Sequence, residues 1–153
     1  MPMSPYLRNL RAKVGHDLLI LPSVTIIVYD EQGHILLVRH GDTGVWVAPG
    51  GAIEPGERPA ETAIREMEEE TGLIIRPIRI LGVYGGPEFQ VKYTNGDQVT
   101  YVMTVYEGEV VGGALRAGED EILELRYFSR EELEEVKLAS WARVVLPEMF
   151  ERR

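Results

Sequence analysis

Residues 51–73 read GAIEPGERPAETAIREMEEETGL, and this stretch decides what kind of domain the chain builds. From residue 57 to 71 the pattern is helical, with Ala60, Ala63, Ile64 and Met67 recurring at the spacing of one helix face. Pro59 falls in the first turn, where its missing N–H costs nothing, and Gly72 is placed to cap the C-terminus. Glu66, Glu69 and Glu70 stand at i, i+3 and i+4, so a helix carries them on one stripe, pointing away from the apolar face. Like charges at that spacing repel. A divalent cation relieves the repulsion, and Mg²⁺ is the natural candidate because it binds through a few carboxylates plus substrate phosphates. Taken alone, the three glutamates read more simply as a solvated acidic face, so the residues around them carry the decision.

Working outward, residues 23–29 form a continuous β-branched run, as a buried strand requires. A turn at 30–33 and an apolar run at 35–38 complete a hairpin, and residues 45–47 lead as a short strand into Ala48-Pro49-Gly50-Gly51. Beyond the helix, residues 73–84 read as a strand interrupted at Pro77 and ended by Gly85-Gly86-Pro87. Phe89, Val91 and Tyr93 alternate with polar residues, Asn95-Gly96 supplies a turn, and Val99, Tyr101, Met103 and Val105 alternate again, which predicts a second hairpin. A Gly-rich acidic loop is expected over 111–120, then a strand over 122–128. Ser129 and Glu132 have the spacing of a capping box that opens a helix at Arg130, and a last helix is expected over 139–150, disturbed at Pro147.

At the N-terminus Ser4-Pro5 opens and Gly15 closes a short basic helix, with Tyr6, Leu7, Leu10 and Val14 on one stripe. The order of elements predicts one α+β domain over residues 16–153, a mixed β-sheet sandwiched between α-helices. The helix of residues 1–15 is expected to pack on that body or to form a homodimer contact.

The bulk numbers bound the function. At 153 residues the chain is long enough for one real core, and 44% hydrophobic with 27% charged residues is ordinary for a globular protein. No apolar run approaches a membrane span, and the N-terminus lacks the apolar segment of a secretory signal, so no membrane partner is expected. The absence of cysteine excludes a disulfide scaffold, a thiolate metal site and a cysteine nucleophile, and accords with a cytoplasmic protein. The net charge of −9 is uneven: residues 1–14 carry +3, which leaves −12, the difference, on the rest. Such a body does not attract nucleic acid by bulk charge, and it handles a negative substrate only with metal or local arginines.

The stretch at 51–73 resembles the signature of the Nudix hydrolases, G-x5-E-x7-R-E-U-x-E-E-x-G-U with U a bulky aliphatic residue. Gly51, Glu57, Arg65, Glu66, Met67, Glu69, Glu70, Gly72 and Leu73 fill every fixed position, Met67 being the mildest fit. The resemblance implies the Nudix fold and hydrolysis of a phosphoanhydride bond in a nucleoside diphosphate linked to a further group, with a nucleoside triphosphate or ADP-ribose as the leading substrates. It implies Mg²⁺ as cofactor, with Mn²⁺ able to substitute, and a small-molecule nucleotide as partner. It further implies that the Gly50 carbonyl, Glu69 and Glu70 are metal ligands and that Glu66 is either a third ligand or the base that deprotonates water. Glu57 is a partner for Arg65 or an outer metal ligand, and the fork of Arg65 suits a bidentate grip on a carboxylate. Many members add a glutamate from a later loop. Glu121 is the candidate here, with Glu119 and Asp120 as rivals, and a solvated turn explains all three as well.

Substrate selection is less visible. Arg39, with His40, stands at a strand end near the box and is a candidate phosphate contact; Tyr84, Phe89 and Tyr93 are candidates to stack on a base, although alternating aromatics in a hairpin also suit a core. Pro87 and Tyr93 lie near, and out of register with, the positions that mark particular substrate groups in the family. Two other readings stand beside the hydrolase. An isoprenyl-diphosphate isomerase of this fold uses a cysteine, which this chain lacks, and a non-catalytic nucleotide sensor tends to lose the box glutamates, which this chain keeps.

Overall fold

The computed structural model describes residues 3–118 and 121–152. Its elements, in chain order, are α1 (Pro5–Val14), β1 (Leu19–Ile27), β2 (Ile35–His40), β3 (Trp46–Val47), β4 (Gly50–Ala52), α2 (Pro59–Thr71), β5 (Leu73–Tyr84), β6 (Gln90–Lys92), β7 (Gln98–Gly113), β8 (Ile122–Phe128) and α3 (Ser140–Arg152). Short 3-10 turns occupy Pro87–Phe89 and Glu131–Glu135.

The strands form two sheets. In the larger, β1 pairs with β4 on one side and runs parallel to β7 on the other, while β5 and β6 pair antiparallel with the far edge of β7. In the smaller, β2 lies between β3 and β8, antiparallel to both. The α+β class expected from the sequence is therefore correct, with the strands divided between a mixed sheet and an antiparallel one. The first expected hairpin is altered: the turn at 30–33 closes as read, but β1 and β2 then diverge into different sheets and share only the Tyr29–Ile35 bridge and a Leu36 N–H bond to the Val28 carbonyl.

That divergence explains why residues 26–28 and 35–38 are apolar without interruption. Val24, Ile26 and Val28 alternate with Ile27 in facing two different cores, and Leu36 alternates likewise with Ile35 and Leu37. One core lies under α2, where Ala63 and Met67 are fully buried beside Leu73 and Ile75. The other lies under α3, where Ala142, Val145, Leu146 and Met149 meet Trp46, Phe89 and Phe128. A strand buried on both faces has no polar side to show.

Four local expectations change. Helix α2 begins at Pro59 rather than 57, because Arg58 is its N-cap and Glu57 is drawn out to meet Arg65. Ser129 and Glu132 do make both bonds of a capping box, yet only a 3-10 turn follows, and α3 runs through Pro147 to Arg152. The loop expected from 111 starts later, because β7 continues to Gly113 against the N-terminal half of β5. Ile64, expected on the buried face of α2, is 36% exposed. No helix among the described residues is long and apolar enough to cross a membrane.

Candidate active site

The expected acidic stripe is split by the fold. Glu69 keeps a half-exposed side chain, whereas Glu66 is 0% and Glu70 3% exposed, so two of the three carboxylates face inward. The reason lies in the loop that covers them. Gly50 and Gly51 pair with Thr25 and Val24 as strand β4, which lays bare backbone across the helix face. A Cβ on Gly50 would stand 2.1 Å from the Val24 carbonyl oxygen, so that position admits no side chain, and one on Gly51 would stand 2.5 Å from Glu66 Oε1 and push that carboxylate from its place. The Gly50 N–H donates to Glu70 Oε1 at 3.0 Å.

The bracing below this pair is dense. Arg65 donates from Nε to Glu57 Oε2 at 2.7 Å and from a terminal nitrogen to Glu57 Oε1 at 2.9 Å, the bidentate fork expected from its chemistry. Its other terminal nitrogen donates to Glu66 Oε1 at 2.9 Å and reaches Glu69 at 3.4 Å. Glu57 also accepts from the Thr62 hydroxyl and the Glu54 N–H. These bonds, the Arg65 bond first, hold Glu57 down to a pKa of about 2.

The inward pair behaves oppositely. Burial, only partly offset by Arg65, raises Glu66 to about 7, and burial followed by the charge of Glu66 raises Glu70 well above its usual range. Glu121 adds to both shifts, so the fold does bring its carboxylate towards the pair; its carbonyl also accepts from the Gly41 N–H at 2.7 Å. Glu119 and Asp120, its rivals in the sequence, lie outside the described residues. His40 Nε2 stands 3.7 Å from Glu70 Oε2, and burial lowers its pKa, which keeps the ring neutral near pH 7.

The C-terminal end of α2 is closed by contacts that the sequence did not announce. The Arg116 N–H bonds the Thr71 carbonyl and the Gly118 N–H bonds the Glu70 carbonyl. A Cβ on Gly118 would lie 2.4 Å from the Glu69 carbonyl oxygen, which is why glycine stands there. The glycine-rich composition of 111–120 was the signal, but composition alone cannot show which glycine is held against which carbonyl.

A cleft of about 860 Å³ opens beside the pair, and Glu70, Gly50, Gly51 and His40 line one end of it. Of the aromatic candidates only Tyr93 lines this cleft, its hydroxyl 2.5 Å from that of Tyr101. Phe89 does not: it is 1% exposed and belongs to the core under α3, because Pro87–Phe89 is a 3-10 turn and the strand alternation assumed for it starts only at Gln90. Tyr84 stacks on Phe89 and bonds Glu148. Arg39 is paired with Glu124 across β2 and β8 at 2.9 Å, away from the cleft.

The donor set has the chemistry of a divalent-cation site. All its atoms are carboxylate or carbonyl oxygens, the kind Mg²⁺ prefers, and the buried Glu66 Oε2 has no hydrogen-bond partner. Among the described residues no three His, Asp or Glu side chains already converge as a complete ligand cage. The two facts agree for a cation that keeps water and takes further oxygens from substrate phosphate. The residues would suit such an ion: Glu66 and Glu70 could hold it, with Glu69 close enough to act on Glu66 and Glu121 on both.

A mixed sheet packed against α2, with a glycine strand laid over paired glutamates, defines a class of domain, and comparison with known proteins places the chain within it. The NUDIX domain family model matches residues 19–149, and the chain belongs to the Nudix family. It is 35% identical over 104 residues to a Bacillus subtilis (strain 168) protein provisionally named 8-oxo-dGTP diphosphatase, covering 68% of this chain and 63% of that one. It is 33% identical over 109 residues to the ADP-ribose pyrophosphatase of Methanocaldococcus jannaschii, covering 69% and 61%. Among solved structures, the MutT NUDIX hydrolase of Burkholderia pseudomallei superposes with a TM-score of 0.70 at 25% identity, over 84% of this chain and 97% of that one. The matched part thus spans somewhat under two thirds of those two relatives.

Proposed function

We propose that this chain is a Mg²⁺-dependent pyrophosphohydrolase, acting in the cytoplasm on a phosphoanhydride bond of a nucleoside diphosphate linked to a further group. The observation that carries the reading is the inward pair Glu66 and Glu70. Two adjacent carboxylates are buried under bare glycine backbone, held at raised pKa, with one oxygen unbonded and a cleft alongside. Nothing in a purely structural role requires that expense, and a divalent cation removes it. The relatives named for 8-oxo-dGTP and ADP-ribose hydrolysis support a nucleotide as substrate.

A bound Mg²⁺ would supply charge neutralisation at phosphate oxygens and a lowered pKa for water. The protein's own share is orientation. Arg65, fixed by Glu57, holds one oxygen of Glu66 and leaves the other for a ligand or a proton. The Gly50 N–H orients Glu70 in the same way. The glycine strand excludes side chains from the approach, and neutral His40 adds no charge beside Glu70.

The test is release of phosphate or pyrophosphate from a panel of nucleoside triphosphates, ADP-ribose and nucleoside-diphosphate sugars, with Mg²⁺, with Mn²⁺ and with chelator. Metal-dependent release from at least one member is expected. Tight binding without release from any member would replace the hydrolase with a nucleotide sensor.

A further inference from the structure

Helix α1 lies outside the matched family region, which begins at residue 19, yet it is built into the cleft. Two residues of its apolar stripe, Leu7 and Leu10, both half-buried, line the same cleft that ends at Gly50 and Glu70. The helix is held there by a buried arginine. Arg11, on the next turn, donates to the Gly15 and Asp17 carbonyls at 3.0 and 2.7 Å and to the Gln98 carbonyl at 2.8 Å, and its Nε stands 3.6 Å from Asp97. Asp97 is the turn residue between β6 and β7 and also bonds His16 at 2.7 Å. One guanidinium therefore pins α1 to the hairpin that carries Tyr93 and Tyr101 on the opposite part of the cleft.

The charges lining the cleft say what this end can hold. Its basic residues, among those described, are Arg11 and His40, whose ring burial keeps neutral. Arg11 is spent on backbone carbonyls and Asp97, and His40 sits beside Glu70. Among the described residues the α1 end thus offers apolar walls and tyrosine rings, with no free cation for phosphate. Such an end suits a flat, uncharged group, and a concave apolar site with a few convergent polar atoms is the usual form of a small-ligand pocket.

We propose that α1 is a wall of the substrate cleft, with Leu7 and Leu10 packing on the nucleobase of a nucleotide whose phosphates lie at the Gly50–Glu70 end, and that Arg11 is the positioning residue that sets the helix for it. This rests on the hydrolase reading only for the identity of the phosphate end. Leu7 and Leu10 contact the base; Arg11 acts through the helix it pins.

The experiment measures equilibrium binding of AMP, GMP, CMP and UMP, and of ribose 5-phosphate as a probe without a base, in chelator. It uses the full chain and its Leu10→Ala, Leu7→Ala, Arg11→Met and Arg11→Lys variants, each first shown to be folded by its melting transition. Leu10→Ala is expected to weaken the best-bound monophosphate about tenfold, the scale of losing a few methylenes from a base pocket. Ribose 5-phosphate is expected to bind the variant as it binds wild type. Arg11→Met should match Leu10→Ala, with Arg11→Lys restoring part of the loss. In hydrolysis the same variants should raise KM and leave kcat within about twofold, because only uniform binding is lost. Unchanged monophosphate affinity in folded Leu10→Ala and Leu7→Ala proteins overturns the proposal, as does equal weakening of ribose 5-phosphate or no binding of any monophosphate by wild type. If wild type hydrolyses nothing while Leu10→Ala still weakens monophosphate binding, the hydrolase reading falls and this one stands.

Discussion

The two ends of the cleft are built in opposite ways. At the Gly50–Glu70 end the bracing groups come mostly from one helix and the loop before it, within residues 50–70, with His40 and Glu121 brought in from elsewhere in the chain. At the α1 end the walls come from residues as far apart as Leu10 and Tyr101, joined through one arginine bonded to a carbonyl 87 positions away. The first end carries strained electrostatics in a local frame. The second carries apolar area in a long-range one. Substitutions at the two ends should therefore fail differently, the first in turnover and the second in affinity.

The sharpest contrast is expected from Glu70→Gln. The amide oxygen still accepts from the Gly50 N–H, so the loop keeps its anchor, while the charge needed for a cation is gone. Turnover should fall on the order of a thousandfold, the scale of deleting one preorganised electrostatic group at a reaction centre. Because burial disfavours the charged form of this side chain, the variant should melt no lower than wild type in chelator. A variant that turns over normally would move the chemistry away from this end.

Arg65→Lys should come next, with a loss of about 10- to 100-fold in kcat, the range for groups that orient ligands. Lysine keeps the charge but cannot hold both oxygens of Glu57 and still reach Glu66, as the guanidinium does at 2.7, 2.9 and 2.9 Å. Substrate KM should change little. A change confined to KM would place Arg65 at the substrate rather than behind the carboxylates.

A smaller effect separates the two kinds of carboxylate by pH. Glu66 sits near 7 in the folded protein against 4.5 for an ordinary glutamate. Between those values the folded state holds a proton that the unfolded chain has released, so this group's contribution to stability fades as pH rises from 4.5 to 7. A cation competes with that proton, and the rise in Tm on adding Mg²⁺ should grow from about pH 5 to about pH 8, by a few degrees at saturating metal. Glu57, held near 2, works the other way: its contribution is complete above 4.5 and is lost only as pH falls towards 2. A Mg²⁺ increment that is flat across this range would remove Glu66 from the metal.

The same contrast explains how much the sequence could say. The glutamates, Arg65, Glu57 and the glycines are all within a short span, so the match of their spacing to the Nudix signature was enough to group them. Which of them face inward was not readable, because it depends on Gly50 and Gly51 pairing with β1, a strand roughly 25 positions upstream. Strands β5 and β8 were legible, β5 from its apolar residues and the Gly85-Gly86-Pro87 that ends it, β8 from its apolar residues ahead of Ser129. The splitting of β1 and β2 into two sheets was not, since a strand buried on both sides looks the same in either sheet. The strand after the Gly85-Gly86-Pro87 break was begun one residue early: period-two spacing over Phe89, Val91 and Tyr93 suggested a strand from Phe89, which instead ends a 3-10 turn. Arg11 gave no signal beyond charge, and a buried arginine bonded to carbonyls is a product of tertiary structure alone.

The smallest effect is expected at Arg39. Its guanidinium meets Glu124 at 2.9 Å on the exposed face of the antiparallel sheet, and neither residue lines the cleft. A register irregularity follows immediately, so that His40 turns to Glu70 while Arg39 stays with its cross-strand partner. A solvent-exposed pair of this kind contributes about 1 kcal/mol or less, because water and salt screen it and two long side chains must be ordered to form it. Arg39→Ala should therefore lower Tm slightly and leave kcat and KM for every nucleotide within about twofold, since no contact of the side chain reaches either end of the cleft. Steady-state kinetics on the best substrate decide it. A KM raised severalfold with unchanged stability would mean that Arg39 abandons Glu124 for phosphate when substrate binds, and the phosphate end would then extend beyond α2 and its glycine strand to the edge of the second sheet.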